Sequence, residues 1–416
     1  MTSSSESRPI YLDHHATTPV HPDVLEAMLP WFTEHFGNPS SRAHAFGWRA
    51  EEAVEHARQQ LGALLGAADP AAEIVFTSGA TEANNLAVKG VARAMRERYG
   101  RDHLVTQATE HRSVLQACER LRREGFRLTV VGVDAQGRVD PEAVAEAIEP
   151  DRTALVSVML VNNEVGTVQP VAEIARLAHA RGVLVHTDAV QGIGRIERFT
   201  VDALQVDLLS LSAHKFGGPK GTGALYVRRG GSPPVQLVAE MDGGGHERGL
   251  RAGTLNVPGI VGLGAAAERL ARHGAEERAR MRALRDRLAE RIRSALPEVH
   301  LHGAPLGGPR HPGNLNLGFA YVEGPALLLA LQPHLALSTG SACSTGRADP
   351  SHVLRAMGVE DELARASFRF GVGPENTEEE IDRAARLVVE AVEKLRADSP
   401  RWRLKQRGLD PDALDW

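Results

Sequence analysis

Between residues 48 and 65 apolar side chains recur at Ala53, Val54, Ala57, Leu61, Leu64 and Leu65. That spacing follows one face of a helix and predicts a helix over 48–65. The pattern then changes. A short strand over 73–77 is followed by Ser78-Gly79 and a new helix from about Ala80. Further apolar runs at 103–106, 127–133, 154–160, 183–187, 207–212 and 224–227 predict strands, with helical stretches between most of them. Continuously apolar strands alternating with helices read as a mostly parallel sheet covered on both faces, an α/β architecture. From about 256 to 297 the chain turns helical and charge-laced, with interruptions near His273-Gly274, and reads as a connector to a second unit. Strands over 313–319 and 367–372 and helices over 324–331 and 377–395 make that unit a smaller α/β lobe.

Composition narrows the picture. The 416 residues suffice for two domains of ordinary size, and 42% hydrophobic residues can build a packed core. A net charge of −5 with both signs interspersed offers no nucleic-acid surface. The longest apolar runs fall well short of a membrane span. Residues 1–8 are Ser-rich without an apolar segment, so they read as a short disordered tail and not as a secretory signal. Two cysteines, Cys118 and Cys343, exclude a disulfide framework and a four-thiolate metal site, and fit a reducing cytoplasm.

Candidate chemistry sits where predicted strands end. Lys215 lies in Ser212-Ala213-His214-Lys215-Phe216, after the run 207–212. A lysine at the end of a buried strand tends to lose its proton, and a neutral lysine can form a Schiff base with an aldehyde. Thr77-Ser78-Gly79-Ala80-Thr81-Glu82 joins a strand to a helix; its small residues suit a phosphate at the helix start, or equally an ordinary cap. Asp188 ends the strand 183–187 and could hold a pyridinium N–H or cap a helix. His111 could stack on a ring, shuttle a proton or be structural. Asn163 could contact a cofactor or substrate oxygen or simply turn the chain. Arg369 alternates with apolar neighbours, so it wants a carboxylate, from substrate or from a structural Asp or Glu. The segment 243–254 is rich in glycine and arginine, suited to an anion, to another subunit, or to a flexible surface loop. Cys118 sits in an apolar helix and reads as structural. Cys343, among small polar residues flanked by glycine, predicts an exposed mobile loop and reads as a nucleophile.

Together these residues resemble the cysteine desulfurases of the NifS/IscS type, class V aminotransferase-like enzymes of the fold-type I pyridoxal phosphate class. The likeness runs from Tyr11-Leu12-Asp13-His14-His15-Ala16-Thr17-Thr18-Pro19 through Phe36-Gly37-Asn38-Pro39-Ser40 and the motifs above to Asp410-Pro411-Asp412-Ala413-Leu414-Asp415-Trp416. The resemblance implies a large cofactor-binding domain over 9–262 with a mostly parallel seven-stranded sheet. The first residues of that domain could pack on a smaller α/β C-terminal domain over 263–416, which carries the catalytic cysteine loop. It implies that Lys215 holds pyridoxal 5'-phosphate and moves the Cα proton. Asp188 would pair with the ring nitrogen, Gln191 with the ring oxygen, and His111 would stack on the ring and assist proton transfer. Ala80, Thr81, Ser212 and His214 would hold the phosphate, joined by Thr254 from a partner subunit, which implies a homodimer. Asn38, Asn163 and Arg369 would hold the substrate carboxylate, and Asn163 the cofactor as well. Cys343 would attack the sulfur of L-cysteine, leaving alanine and a persulfide for an iron–sulfur scaffold or another acceptor such as a tRNA-thiolation relay. It could transiently ligate a nascent cluster. Departures are Ala213 where many relatives carry glycine, the His14-His15 pair, and the residues after Cys343. A selenocysteine lyase or aminotransferase of the same fold is the alternative, though transamination needs no thiol. A non-catalytic sulfur-relay scaffold would have no need of Lys215, Asp188 and His111.

Overall fold

The computed structural model describes residues 8–197, 199–339 and 349–410. Thirteen strands order the chain: β1 (Ile10–Tyr11), β2 (Ile74–Thr77), β3 (His103–Gln107), β4 (Arg127–Val131), β5 (Thr153–Ser157), β6 (Leu184–Asp188), β7 (Leu208–Ser212), β8 (Gly223–Val227), β9 (Val299–Leu301), β10 (Asn314–Phe319), β11 (Leu335–Ala336), β12 (Ser338–Thr339) and β13 (Ser367–Gly371). Seven form one sheet in the order β2-β8-β7-β6-β5-β3-β4. The ladders from β7 through β6, β5 and β3 to β4 are parallel, and β8 alone runs against its two neighbours. The carboxyl ends of β2, β3, β5, β6 and β7 therefore share one edge, where open α/β sheets present ligand sites.

Most strand residues of this sheet are buried, and its two faces belong to separate apolar clusters, as continuously apolar strands require. One cluster joins Val105, Val156, Val185 and Leu209 to the helix Ala45–Leu65; the other joins Val75, Leu104, Leu155 and Leu208 to the helices Ala80–Tyr99 and Arg112–Arg123. The helix expected at 48–65 begins at Ala45 and ends where Gly66 takes the left-handed conformation, φ +70°. Glu73, expected in a strand, instead closes a one-turn helix, Pro70–Glu73.

The connector is a single helix, Val257–Ala295, of 39 residues. The interruption expected at His273-Gly274 does not occur: Gly274 is buried inside the helix, and a Cβ there would lie 3.3 Å from Leu270. Its first half packs into the large-sheet core through Val257, Ile260, Leu263 and Leu270, its second into another core through Leu284, Leu288 and Ile292. That second core backs an antiparallel sheet, β12-β13-β10-β9, and the helix Glu378–Asp398, which starts with a reciprocal capping box between Thr377 and Glu380. Ile10 and Leu12 also belong to it, because β1 pairs in parallel with β11. Among the described residues, no helix is long and apolar enough to cross a membrane.

Candidate active site

At the carboxyl edge of the large sheet lies a cavity of about 650 Å³. Ala80, Thr81, His111, Asn163, Asp188, Gln191, Ser212, His214, Lys215 and Arg369 all line it, so ten of the residues singled out above meet there. Asn38 and Thr254 do not: both are exposed and lie outside this lining, and Asn38 accepts a hydrogen bond from the Ser40 amide at 2.9 Å. Cys343 lies outside the described residues. A cleft of similar volume, about 690 Å³, is lined by Arg98, Arg229, Arg248, Glu97, Gln236 and apolar residues and gathers no lysine or histidine.

Lys215 leaves the end of β7 in a short 3-10 turn. Its Nζ donates to the carbonyls of His15, at 2.5 Å, and Ala16, at 2.9 Å. Among the described residues no carboxylate pairs with it directly. Burial, aided by the Arg369 charge, lowers its pKa to about 8, with Asp188 and Asp13 opposing. A sizeable uncharged, nucleophilic fraction therefore exists near neutrality.

Asp188 closes β6 and is buried. Its Oδ2 accepts from Asn84 Nδ2 at 2.8 Å and its Oδ1 from the Val190 amide at 3.1 Å. It does not cap a helix, which was the competing reading. Gln191 donates one amide hydrogen to the His15 carbonyl, 2.9 Å.

The helix Ala80–Tyr99 opens onto the cavity, and its N-cap is Gly79, with no side chain to satisfy the first-turn amides. Gly79 has φ +149°, which a larger residue rarely adopts, and a Cβ there would lie 3.6 Å from Ser212 Oγ. An uncapped helix start beside hydroxyl groups is an anion site. Glu82, in the first turn, also lines the cavity, but its carboxylate is engaged: it accepts from the Ser78 amide at 2.8 Å and pairs with Arg251 at 2.9 Å. Burial first, then Lys215 and Lys220, lowers the His214 pKa to about 4, so this imidazole is neutral.

Arg369 projects from β13 of the other sheet. It pairs with Asp13 at 2.8 Å and donates to the Asn163 carbonyl at 2.9 Å, while its buried Nε has no partner. Both carboxylate partners considered for it thus remain compatible: one is Asp13, and a guanidinium has donors to spare.

Other residues were not singled out by sequence. His15, Ala16, Thr17, Ser113, Met159 and Lys220 line the cavity, and Asp13 and Asn84 support it. The motif at 11–19 was the available signal for four of them. The loop 243–254 is anchored rather than free: Glu247 is buried and holds Arg58 through two bonds of 2.8 and 3.0 Å, and also accepts from the Phe76 amide at 2.7 Å. Cys118 is buried, and burial pushes its thiol up to about 12, consistent with a structural role. Among the described residues no cluster of three His, Cys, Asp or Glu could hold a metal ion.

Residues 10–384 match the aminotransferase class-V family. The chain is 54% identical over 408 residues, 98% of each sequence, to the cysteine desulfurase IscS of Anaeromyxobacter dehalogenans (strain 2CP-C). It is similar to the structure of a NifS-like protein, with TM-score 0.85 and 38% identity, covering 93% of this chain and all of the other. It is also similar to SspA in complex with cysteine, with TM-score 0.75 and 37% identity over 88% of this chain and 99% of the other.

Proposed function

Because the chain belongs to the class V aminotransferase family, we propose that it is a cysteine desulfurase that takes sulfur from L-cysteine, leaving alanine and a persulfide on Cys343. The observation that carries this reading is the convergence of a lysine of lowered pKa, a buried aspartate and an uncapped helix start on one cavity.

The family depends on pyridoxal phosphate, and the residues present fit that group. Ala80, Thr81, Ser212 and His214 would hold its phosphate, Asp188 its ring nitrogen, and the second amide hydrogen of Gln191 its ring oxygen. Lys215 would hold it covalently. Bound there, the cofactor supplies an electron sink for negative charge developing at the substrate Cα. The chain's residues do the rest. Arg369 and Asn163 would orient the substrate carboxylate. Lys215 would take the Cα proton. The Cys343 thiolate attacks Sγ; the Cβ–Sγ bond breaks and its electron pair stays with the three-carbon fragment, which gains protons and leaves as alanine. Cysteine in a structure of the similar SspA supports the substrate.

The proposal includes a homodimer in which Thr254 reaches the partner's phosphate site. Exposed Leu25, Leu29, Phe32, Phe36, Phe46 and Trp48, gathered within residues 25–48, support it. It includes units at 9–262 and 263–416, supported by two cores sharing one helix, with residues 10–12 docked on the second. The enzyme would act in the cytoplasm and pass sulfur to an iron–sulfur scaffold or a tRNA-thiolation relay, with Cys343 able to meet a nascent cluster there.

The purified protein should be yellow, and Lys215→Ala should abolish that colour. A protein that stays colourless after incubation with the cofactor refutes the cofactor site. Cys343→Ser should keep the colour and bind cysteine without forming persulfide; sustained alanine and sulfide production by that variant refutes the nucleophile.

A further inference from the structure

We propose that His111 works as a neutral imidazole, bare at Nδ1 and protonated at Nε2, and that Asn84 and Ser113 are positioning residues that hold it in this form. The inference deepens the cofactor reading above and rests on it for its catalytic meaning.

His111 is the N-cap of the helix Arg112–Arg123, and its Nδ1 lies 3.2 Å from the Ser113 amide nitrogen. A backbone amide can only donate, so Nδ1 must present a lone pair. Ser113 Oγ lies 2.7 Å from the same nitrogen and must therefore donate its own hydrogen to it. The hydroxyl lone pairs then accept from Asn84 Nδ2, at 2.8 Å. The other hydrogen of that amide goes to Asp188 Oδ2, also at 2.8 Å. The carboxylate fixes the direction of the whole chain, because a reversed Asn84 would turn its carbonyl oxygen toward Asp188. Nothing on the far side of Asn84 sets its orientation, since its Oδ1 is buried without a partner.

Protonating His111 would require a hydrogen on Nδ1, aimed at the Ser113 amide and at the positive end of a helix. The surrounding groups agree. Burial in the cleft lowers the His111 pKa most; Asp188 raises it, while Lys215, His352 and Arg112 lower it. The only basic ring nitrogen is thus occupied by two donors, and the Nε2–H is left on a residue that lines the cavity. His111 is then a hydrogen-bond donor and a ring to stack on, not a proton shuttle. Moving the Cα proton then falls to Lys215.

The test uses the full chain, with and without cofactor, labelled with ¹⁵N at histidine. The His111 signal is assigned by its loss in His111→Gln. We expect the neutral Nε2–H tautomer near pH 7, with a midpoint below that of an ordinary histidine. Ser113→Ala should raise the His111 midpoint toward the ordinary value, and Ser113→Thr should restore it. An Nδ1–H or doubly protonated ring near pH 7 in the wild-type protein overturns the proposal, and so does a Ser113→Ala spectrum unchanged from wild type. In turnover, His111→Gln should keep the acid limb of the kcat/KM profile; loss of that limb identifies His111 as the titrating acid and also overturns it. The cofactor-free spectrum reads the tautomer even if the cofactor assignment fails, and a wrong tautomer leaves that assignment standing.

Discussion

Lys215 is reactive because of what surrounds it. Its ammonium is desolvated and faces the Arg369 charge, so the proton leaves near pH 8 instead of 10.5. Below that value the amine is charged and inert toward an aldehyde; above it the amine is free. Cofactor uptake by the cofactor-free protein should therefore rise with pH about a midpoint near 8, followed by absorbance. Arg369→Gln removes the neighbouring charge and should move the midpoint upward; a downward shift would refute the electrostatic account. Cys118→Ala should leave turnover unchanged, since a buried thiol held protonated has no nucleophilic part to play. Sequence revealed Lys215, Asp188 and Thr81 because each follows an apolar run whose end marks the edge of the sheet. It could not reveal Asp13 as the partner of Arg369, 356 residues away, nor Asn84 and Ser113, which meet only when two helices pack. At the His14-His15 departure, position 15 serves Lys215 and Gln191 through its carbonyl, which any residue could supply, while its neutral ring packs on His311. Ala213 fits because Gly218 faces it, where a Cβ would come within 2.7 Å.

Among the elements, the loop 243–254 departs most from its simplest reading. Glycines and charges describe a solvent-exposed strap, yet Glu247 is buried against Arg58, and Arg251 reaches Glu82 in the first turn of the helix at the cavity. Hydropathy cannot announce a buried glutamate, because the partner that makes burial tolerable is distant in sequence. Glu247→Ala should cost about 3–5 kcal/mol in denaturant unfolding, since it leaves the buried Arg58 with only the more exposed Glu55 as counter-charge and the Phe76 amide without its acceptor. Replacing both residues by apolar ones should recover much of the loss, and equal losses in the single and double variants would show that the ion pair is not the cause. Gly274 teaches a related lesson. Glycine in a helix costs about 1 kcal/mol relative to alanine, but here a Cβ would press on the Leu270 side chain one turn earlier, at 3.3 Å, beside the Gly194 carbonyl, and packing decides. Strand ends shifted by only a few residues, because a continuous apolar run marks a strand buried on both faces.

At the scale of the molecule, the helix Val257–Ala295 belongs to both cores, so neither can be lost without exposing half of it. The proposed homodimer predicts a two-chain mass in sedimentation, and Leu29→Asp combined with Phe36→Asp should yield a folded single chain with weakened cofactor retention. A dimer unaffected by these changes would place the interface elsewhere. One further consequence follows from where β1 docks. Residues 10–16 supply a strand for β11, the carboxylate for Arg369 and the carbonyls that receive Lys215. Residues 10–16 are synthesised well before their partners at 335–336 and 369, so a nascent chain can build the large sheet while this segment still lacks its dock. The segment thus acts as a closing stitch, joining the lysine at the edge of the large sheet to the second core only once the smaller sheet has formed.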